Sequence, residues 1–310
     1  MKKTALLFPG QGAQYPGMGA DIYQKYPEAR AVFEEAAAAL GASFIDTIFK
    51  GPEEKLRETA YTQPAILTVS TAIFRVLEAR GLNFCAAAGL SLGEYSALTA
   101  AGSLSFAEAL PLVQRRGTLM QEATPEGTGS MVAIMGLGHS VVKDICQRSS
   151  EEGIVSPANY NCPGQIVVSG EKKALERACK LAGEAGAKKI TALKVSAPFH
   201  CKLLEAVEPK LSEALELVEV KKPQITLYFN VTAQPETDPA AIRANLVRQV
   251  SSPILWEQSI GAMIKDGVDS FVSVGPGNSL HRLMKRISPD SYSASIEKID
   301  QLEEFKIEGV

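Results

Sequence analysis

The sequence has little excess charge and no long apolar run. Its 310 residues carry a net charge of −3 without a long basic block, which argues against a nucleic-acid or anionic membrane partner. The apolar stretch near residue 4 ends at Pro9-Gly10, so it is too short for a secretion signal. No run approaches the roughly 18 apolar residues of a membrane span. We therefore expect a soluble globular protein that does not enter a membrane.

Paired cysteines and metal-binding patterns are also missing. The five cysteines are widely spaced and include no CxxC pair; they are Cys85, Cys146, Cys162, Cys179 and Cys201. This favours free thiols in a reducing cytoplasm over disulfides or a zinc site. The glycine-rich loop 9–19 lacks a GKS or GKT ending and a GxGxxG motif, so it predicts no nucleotide site. We expect neither a metal nor a tightly bound organic cofactor.

What is present is an alternation of apolar strands and amphipathic helices over 1–125 and 197–310. Such alternation predicts a mostly parallel sheet covered on both sides. We expect strands at 4–8, 84–90, 226–230 and 270–274. Helices are expected at 27–40, 64–80, 105–122, 201–217, 239–250, 256–266 and after the turn 275–277 as far as about 286.

Residues 126–196 have a different pattern, which begins after a turn-rich stretch at 124–129. Strands are predicted at 130–135, 154–160, 165–169 and 188–195, with helices at 139–151 and 171–185. The order is βαββαβ, which is typical of a ferredoxin-like unit. We interpret this segment as a small inserted subdomain within the larger α/β domain.

Residues 89–93 read Gly-Leu-Ser-Leu-Gly, a GxSxG pentapeptide between a predicted strand and a predicted helix. A sharp turn from strand to helix strains the backbone, and the two glycines relieve crowding there. The turn would present the Ser91 hydroxyl at a helix N-terminus, where free N–H groups can stabilise an oxyanion. The pattern therefore predicts that Ser91 is a nucleophile rather than part of a plain tight turn.

A serine nucleophile needs a base, and the chain has three histidines. His139 begins a helix of the insert, where a surface or capping role is the simple interpretation. His281 lies beside the apolar stripe of its helix. His200 ends the segment 196–200, where the insert returns to the large domain and where loops commonly line clefts. From these positions we favour His200, with His281 and then His139 as alternatives.

Eight segments, taken together, resemble the ordered motifs of malonyl-CoA:acyl carrier protein transacylases. They are Phe-Pro-Gly-Gln-Gly-Ala-Gln at 8–14, Thr-Gln-Pro-Ala at 62–65, Gly-Leu-Ser-Leu-Gly-Glu-Tyr-Ser-Ala-Leu at 89–98, Arg-Gly at 116–117, Asn-Tyr-Asn-Cys-Pro-Gly-Gln at 159–165, Ser-Ala-Pro-Phe-His at 196–200, Val-Arg-Gln at 247–249 and Val-Gly-Pro-Gly at 274–277. The resemblance spans almost the whole chain. It implies an α/β-hydrolase-like domain with a ferredoxin-like insert.

The resemblance also implies an activity and its partners. Malonyl-CoA would acylate the enzyme, and the phosphopantetheine thiol of an acyl carrier protein would collect the malonyl group, as in bacterial fatty-acid synthesis. The enzyme would be a cytoplasmic monomer with CoA as substrate carrier only. Carrier proteins are acidic in related systems, so Lys and Arg side chains near the cleft are expected to receive the carrier.

Carried over by position, the resemblance makes Ser91 the acyl acceptor and His200 its base. Gln249 would orient His200 through its main-chain carbonyl in place of a carboxylate. The backbone N–H groups of Gln11 and Leu92 would form the oxyanion hole.

The acyl pocket is implied in the same way. Arg116 would bind the free malonyl carboxylate in a two-pronged contact, although from its helix alone it is better interpreted as a solvated arginine like Arg115. Gln63 and Asn159 would line the pocket. Phe199 would crowd a 2-methyl branch, although core packing is an equally simple role.

Two positions depart from expectation. Leu90 stands where the family usually has a histidine; strand alternation places residue 90 away from Ser91, so we expect catalysis to survive. Cys201, after His200, has no functional account.

Three alternatives stay open. A hydrolase or thioesterase could use Ser91 with Asp266 or Asp269 and His281, in the α/β-hydrolase order. The chain could be a carrier-docking module without chemistry. It could also be a free-standing polyketide acyltransferase.

Overall fold

A computed structural model describes residues 3–125, 127–193, 195 and 197–306 of the chain. The strands, numbered in chain order, are β1 (Thr4–Phe8), β2 (Ala86–Gly89), β3 (Gly129–Met135), β4 (Val155–Cys162), β5 (Gln165–Glu171), β6 (Lys189–Ala192), β7 (Thr226–Tyr228), β8 (Pro235–Glu236), β9 (Ser270–Val274) and β10 (Tyr292–Ile296). They form a six-stranded sheet, β10-β9-β1-β2-β7-β8, and a four-stranded sheet, β4-β5-β3-β6. In the larger sheet every neighbouring pair is parallel except β7 with β8.

Helices cover both sheets. They are α1 (Ala20–Lys25), α2 (Pro27–Leu40), α3 (Ala42–Lys50), α4 (Glu53–Arg57), α5 (Thr59–Ala79), α6 (Gly93–Ala100), α7 (Phe106–Glu122), α8 (His139–Ser149), α9 (Lys172–Glu184), α10 (Glu208–Glu216), α11 (Pro239–Gln249), α12 (Trp256–Lys265), α13 (Ser279–Ile287) and α14 (Ile299–Glu304). Short 3₁₀ turns precede β4 (Ser150–Glu152) and α10 (Lys202–Val207). Within these described ranges no helix is both long and apolar enough to span a bilayer.

The larger sheet separates two apolar layers. Side chains alternate along β1: Leu6 and Phe8 pack with α2, α5 and α7 on one face, while Ala5 and Leu7 pack with α12 and α13 on the other. All five residues of β1 are buried, as expected for a parallel strand covered on both faces. The mixed α/β architecture with a mostly parallel sheet is therefore confirmed.

The smaller sheet is antiparallel throughout. Its strands and helices follow the chain order β3-α8-β4-β5-α9-β6, so the predicted βαββαβ order is present. The last strand ends at Ala192, earlier than the expected 188–195. Lys194 lies outside the described residues, as do Glu126 and Ser196 at the predicted boundaries of the insert. The division at 126–196 stays a prediction.

Several elements were not predicted from the sequence. Four short helices, α1, α3, α4 and α14, lack the long periodic pattern on which prediction depends. The edge strand β10 reads Tyr-Ser-Ala-Ser-Ile and has no apolar run, yet it pairs along its whole length with β9. The expected helix 64–80 begins earlier, at Thr59, because Pro64 forfeits one N–H bond without ending the helix. The expected helix 201–217 is split into a 3₁₀ turn and α10.

The carboxyl ends of β1, β2 and β7 meet at one edge of the sheet. There the N–H of Leu90 donates to the carbonyl of Phe8 at 3.0 Å, so the loop after β1 lies against the turn after β2. The loop after β7 begins at Phe229 on the other side of that turn. Open α/β sheets commonly bind ligands at this edge.

Candidate active site

Ser91 lies on the sharp turn between β2 and α6. Its φ is +54°, in the left-handed region that non-glycine residues seldom adopt. A Cβ on Gly89 would lie 1.7 Å from the carbonyl carbon of Gly93, and one on Gly93 would lie 2.1 Å from the carbonyl oxygen of Phe8. The strained turn and the need for both glycines agree with the prediction from GxSxG.

Both backbone polar groups of Ser91 have side-chain partners. Its N–H donates to Oδ1 of Asn230 at 2.7 Å, and its carbonyl accepts from Nε2 of Gln249 at 3.0 Å. Asn230 also donates through Nδ2 to the carbonyl of Gly89 at 2.8 Å. Asn230 therefore spans the turn on either side of Leu90. Asn230 was not predicted as a site residue; the signal available was a polar residue at the end of the strand predicted at 226–230.

Arg116, on α7, is completely buried, so the interpretation as a solvated helix arginine is wrong. Its Nη1 donates to Oε1 of Gln63 at 2.6 Å. Its Nη2 donates to Oε1 of Gln249 at 2.8 Å and reaches Oγ of Ser91 at 3.2 Å. Gln63, Ser91 and Gln249 come from three separate parts of the chain and meet at one guanidinium.

Within the described residues the charge of Arg116 has no direct counter-ion. The acceptors around it are neutral, and among the described residues no carboxylate lies within ion-pair distance of it. Burial lowers the pKa of Arg116, and the nearby Glu94 and Tyr95 side chains act in the opposite direction. A buried, unpaired cation beside a nucleophile favours a negatively charged ligand.

His200 is buried, and its Nδ1 donates to the main-chain carbonyl of Gln249 at 2.8 Å. This bond fixes the tautomer, so that Nε2 carries the lone pair. Burial lowers the pKa of His200 to about 3; the charge of Arg116 adds to this effect and the Gln249 carbonyl opposes it. The imidazole is therefore neutral at pH 7.

Ser91 and His200 line one cavity of about 520 Å³, together with Gln11, Leu92 and Asn159. No hydrogen bond joins the Ser91 hydroxyl to His200 within the described chain, where the hydroxyl accepts from Arg116 instead. Catalytic hydrogen bonds are often long before substrate binds. The cavity thus brings together the predicted nucleophile and the favoured base.

The backbone N–H groups of Gln11 and Leu92 have no acceptor among the described residues. The loop of Gln11 is anchored by its side chain, whose Nε2 donates to Oγ1 of Thr59 at 3.3 Å. Leu92 immediately precedes α6, at the positive end of the helix. Two free donors thus border the space next to Ser91.

The remaining pocket residues come from separate elements of the fold. Asn159 on β4 and Phe199 border the cavity, and so does Gln63, whereas Arg116 and Gln249 lie behind its wall. Phe199 is also part of the large apolar core, so both of its expected roles have a structural basis. Leu90 packs on the apolar cluster around α12 and borders the cavity, so it lies nearer the site than strand alternation indicates.

The alternative triad is not assembled. The Nδ1 atom of His281 lies 2.8 Å from Oγ of Ser293, and Asp266 accepts from the Tyr228 hydroxyl at 2.6 Å. Asp269 accepts from the N–H of Lys3 at 3.0 Å. None of His281, Asp266 and Asp269 lines the cavity. The order Ser91, Asp266 or Asp269, His281 is therefore wrong as a catalytic set.

The contacts of His139 and Cys201 indicate structural roles. His139 does not act as a simple cap: its Nε2 pairs with Glu257 on α12 at 3.0 Å, and its ring packs edge-on against Tyr160. The Sγ of Cys201 is buried, 3.3 Å from the carbonyl of Pro198. Both residues contribute to packing where the smaller sheet joins the rest of the chain.

Comparison with known proteins shows the family to which the chain belongs. The acyl transferase domain family matches residues 5–301, so the chain belongs to that family. Its relatives include the malonyl CoA-acyl carrier protein transacylases of Haemophilus influenzae and Escherichia coli strain K12. The first is 43% identical over 99% of this chain and 100% of its own length, and the second 45% identical over 95% and 96%. The resemblance predicted from eight motifs is confirmed.

Solved structures agree. An acyl carrier protein S-malonyltransferase from Vibrio cholerae superposes with a TM-score of 0.95 and 42% identity, covering 98% of this chain and 100% of that one. A malonyl-transacylase in complex with a type II polyketide synthase acyl carrier protein superposes with a TM-score of 0.94 and 42% identity, covering 97% and 98%. The fold is therefore that of S-malonyltransferases.

Proposed function

We propose that this chain is an S-malonyltransferase that moves a malonyl group from malonyl-CoA to an acyl carrier protein through an ester on Ser91. One observation carries the proposal: the buried guanidinium of Arg116 lies 3.2 Å from the Ser91 hydroxyl and lacks a counter-ion within the described chain. A malonyl group on Ser91 would place its free carboxylate one methylene beyond the ester carbonyl, within reach of Arg116.

Acylation begins with attack of the Ser91 oxygen on the thioester carbonyl. His200 takes the serine proton at Nε2, since its Nδ1 proton is engaged by Gln249. The backbone N–H groups of Gln11 and Leu92 stabilise the oxyanion, each contributing about 3 kcal/mol. When the tetrahedral intermediate collapses, the carbon–sulfur bond breaks and His200 returns the proton to the CoA thiol.

The second half-reaction runs through the same groups. The phosphopantetheine thiol of the carrier protein gives its proton to His200 and attacks the Ser91 ester. The carbon–oxygen bond then breaks, and the proton returns to the serine hydroxyl. Neither step needs a cofactor, because the acyl donor is the CoA thioester in the first step and the Ser91 ester in the second.

Arg116 selects the acyl group. A two-pronged contact with the malonyl carboxylate satisfies the buried charge, whereas an acetyl group leaves it unpaired. Leaving one partner of a buried charge pair unmatched costs about 2–5 kcal/mol, which corresponds to at least tens-fold selectivity. Gln63, Asn159 and Phe199 complete the acyl pocket, and Phe199 disfavours a 2-methyl branch by its bulk.

The wider assignments follow from the relatives. We assign the chain to fatty-acid biosynthesis. A polyketide pathway is the alternative, because one similar structure is bound to a polyketide carrier protein. The sharp turn at Ser91, which we call the elbow, and the parallel sheet correspond to an α/β-hydrolase-like core. The smaller sheet corresponds to a ferredoxin-like insert. The cytoplasmic location and the monomeric state stay predictions, as does the absence of a nucleic-acid partner.

Intact-mass analysis tests the proposal. We expect the protein mixed with malonyl-CoA to gain the mass of one malonyl group and Ser91→Ala to gain none. The His200→Ala variant should be acylated very slowly and His281→Ala normally. An adduct that persists in Ser91→Ala, or that depends on His281 rather than His200, would contradict the assignment. Turnover with holo carrier protein would in turn exclude a docking module without chemistry.

A further inference from the structure

Glu94 is the one buried carboxyl side chain in the described part of the molecule. It is the second residue of α6, three positions after Ser91. A buried carboxyl is costly unless it is hydrogen-bonded, so its partners deserve explanation. Glu94 takes no part in the proposed acyl-transfer steps.

The partner of Glu94 is the backbone of Asn230, whose N–H donates to Oε1. The Asn230 side chain in turn bonds the Ser91 N–H at 2.7 Å and the Gly89 carbonyl at 2.8 Å. Gln249 closes the network: its Nε2 lies 3.0 Å from the Ser91 carbonyl and 3.4 Å from Oδ1 of Asn230. A chain of contacts therefore runs from Glu94 through Asn230 to the nucleophile.

The turn needs such support because Ser91 has a left-handed backbone. Unfavourable dihedral angles persist only where the surrounding structure fixes them. The two residues that fix Ser91 are Asn230 and Gln249, which come from the loop after β7 and from α11, far away along the chain. Asn230 lies just beyond β7, and its bond to Glu94 ties it to the helix that the elbow begins.

We propose that Glu94 is a positioning residue for acyl transfer, which holds Asn230 so that the Ser91 hydroxyl keeps its place between Arg116 and the free N–H groups of Gln11 and Leu92. It acts as a hydrogen-bond acceptor and not as a charge. The proposal rests on the assignment of Ser91 as the acylated residue.

The state of the carboxyl supports an acceptor role. Burial raises the pKa of Glu94 to about 8, against the opposing effects of the Asn230 N–H, Arg116 and Gln249. At pH 7 the carboxyl then holds a proton. Oε1 accepts from Asn230 and Oε2 has no partner among the described residues, so a proton on Oε2 leaves the accepting oxygen unchanged. Glutamine copies this neutral form in shape and keeps the accepting oxygen.

Two substitutions distinguish a role of Glu94 as a hydrogen-bond acceptor from a role as a negative charge. Single-turnover acylation by malonyl-CoA should proceed in Glu94→Gln within about threefold of wild type. In Glu94→Leu it should slow by about 10- to 100-fold, with less than a threefold change in KM for malonyl-CoA. Glu108→Leu is the matched control, because Glu108 also accepts a distant backbone N–H, that of Glu219, on an exposed part of α7. It should acylate at the wild-type rate.

A double-mutant cycle tests whether Glu94 acts through Asn230. Asn230→Ala removes the bonds to Ser91 and Gly89 but keeps the backbone N–H that Glu94 accepts. We expect Glu94→Leu to slow acylation by less than threefold in the Asn230→Ala background. If Glu94→Leu does not fold, Glu94→Gln and Asn230→Ala still decide: normal acylation in Asn230→Ala overturns the proposal, as does a tenfold loss in Glu94→Gln.

Equal losses in Glu94→Gln and Glu94→Leu would show that charge matters and would overturn the acceptor role. If the losses of acylation rate in Glu94→Leu and Asn230→Ala multiply in the double variant, Glu94 does not act through Asn230. Wild-type protein is run alongside as the separate check on the proposed function. If it gains no malonyl group on Ser91, the transferase assignment fails; if it is acylated and the variants behave otherwise than stated, only the role of Glu94 fails.

Discussion

The guanidinium of Arg116 and the hydroxyl of Ser91 are 3.2 Å apart, although 24 residues separate them along the chain. The same Nη2 atom also bonds Gln249, whose backbone carbonyl orients His200. One buried cation therefore touches the nucleophile and the residue that holds its base. This arrangement links the choice of acyl group to the chemistry of its transfer.

Removal of Arg116 should change which substrate is accepted. We expect Arg116→Ala to lower kcat/KM for malonyl-CoA by about 30- to several-thousand-fold, since an unmatched buried charge partner costs about 2–5 kcal/mol. Acylation by acetyl-CoA should fall much less or rise. The neighbouring Arg115 is exposed, so Arg115→Ala is the matched control and should behave as wild type. Equal losses for both acyl-CoA substrates would argue against a selective carboxylate contact.

The acylation step should resist acid. Because burial lowers the pKa of His200 to about 3, the imidazole stays neutral as the pH falls through 6.5, the ordinary value for histidine. We expect kcat/KM for malonyl-CoA to stay within about twofold between pH 7.5 and pH 5.5. The measurement is a pH profile under conditions where the protein remains folded. A tenfold loss per pH unit below 6.5 would mean that His200 titrates normally.

Glu94 should make stability depend on pH. Its pKa is raised to about 8 in the folded chain, against 4.5 when unfolded. Between these values the folded chain keeps a proton that the unfolded chain releases, so stability falls as pH rises. The Tm of Glu94→Gln minus that of wild type should therefore become more positive from pH 5 to pH 8.5, by several degrees. His200 is present in both proteins, so its contribution to the pH dependence cancels in the difference. A constant difference would refute the raised pKa.

Two arginines on α13 border the cavity but differ in their contacts. Arg286 donates to Oε1 of Gln165 at 2.6 Å and to the carbonyl of Pro163 at 2.8 Å, so it ties α13 to the turn between β4 and β5. The side chain of Arg282 makes no hydrogen bond or ion pair with any described residue, although its backbone N–H continues the helix by donating to the Asn278 carbonyl at 3.1 Å. We expect the carrier protein to be acidic, so that Arg282→Glu raises its KM about tenfold with kcat nearly unchanged.

The contrast with Arg286 supplies the control. Arg286→Ala should chiefly lower Tm, because it removes two contacts between α13 and the smaller sheet. Steady-state kinetics at two salt concentrations and thermal unfolding distinguish the two effects, since screening weakens the carrier contact. An unchanged KM in Arg282→Glu would remove this residue from the carrier-binding surface.

The sequence could predict the parts of this site that depend on local pattern. GxSxG between an apolar strand and a helix indicates both the strain at Ser91 and the need for Gly89, because these arise within five residues; the contact of Gly93 with the Phe8 carbonyl involves a distant strand. Alternation of strands and helices likewise predicts the parallel sheet. Short helices such as α3 were not predicted because their apolar pattern is too short. The polar edge strand β10 was not predicted because its conformation depends on pairing with β9.

The remaining parts depend on contacts between distant segments. Arg116 sits on a helix next to an exposed arginine, and only the packing of α7 against α5 shows that it is buried. Asn230 and Gln249 reach Ser91 from positions 139 and 158 residues away. Glu94 belongs to the most conspicuous motif of the chain, yet its burial follows from the contact with the loop after β7.

The most direct test of the account is transfer from the isolated acyl-enzyme. The protein is acylated with malonyl-CoA, freed of CoA, and mixed with holo acyl carrier protein, and both proteins are weighed by mass spectrometry. We expect the malonyl group to leave Ser91 and to appear on the carrier in equal amount. Release of free malonate without a carrier adduct would identify a hydrolase and would contradict this expectation.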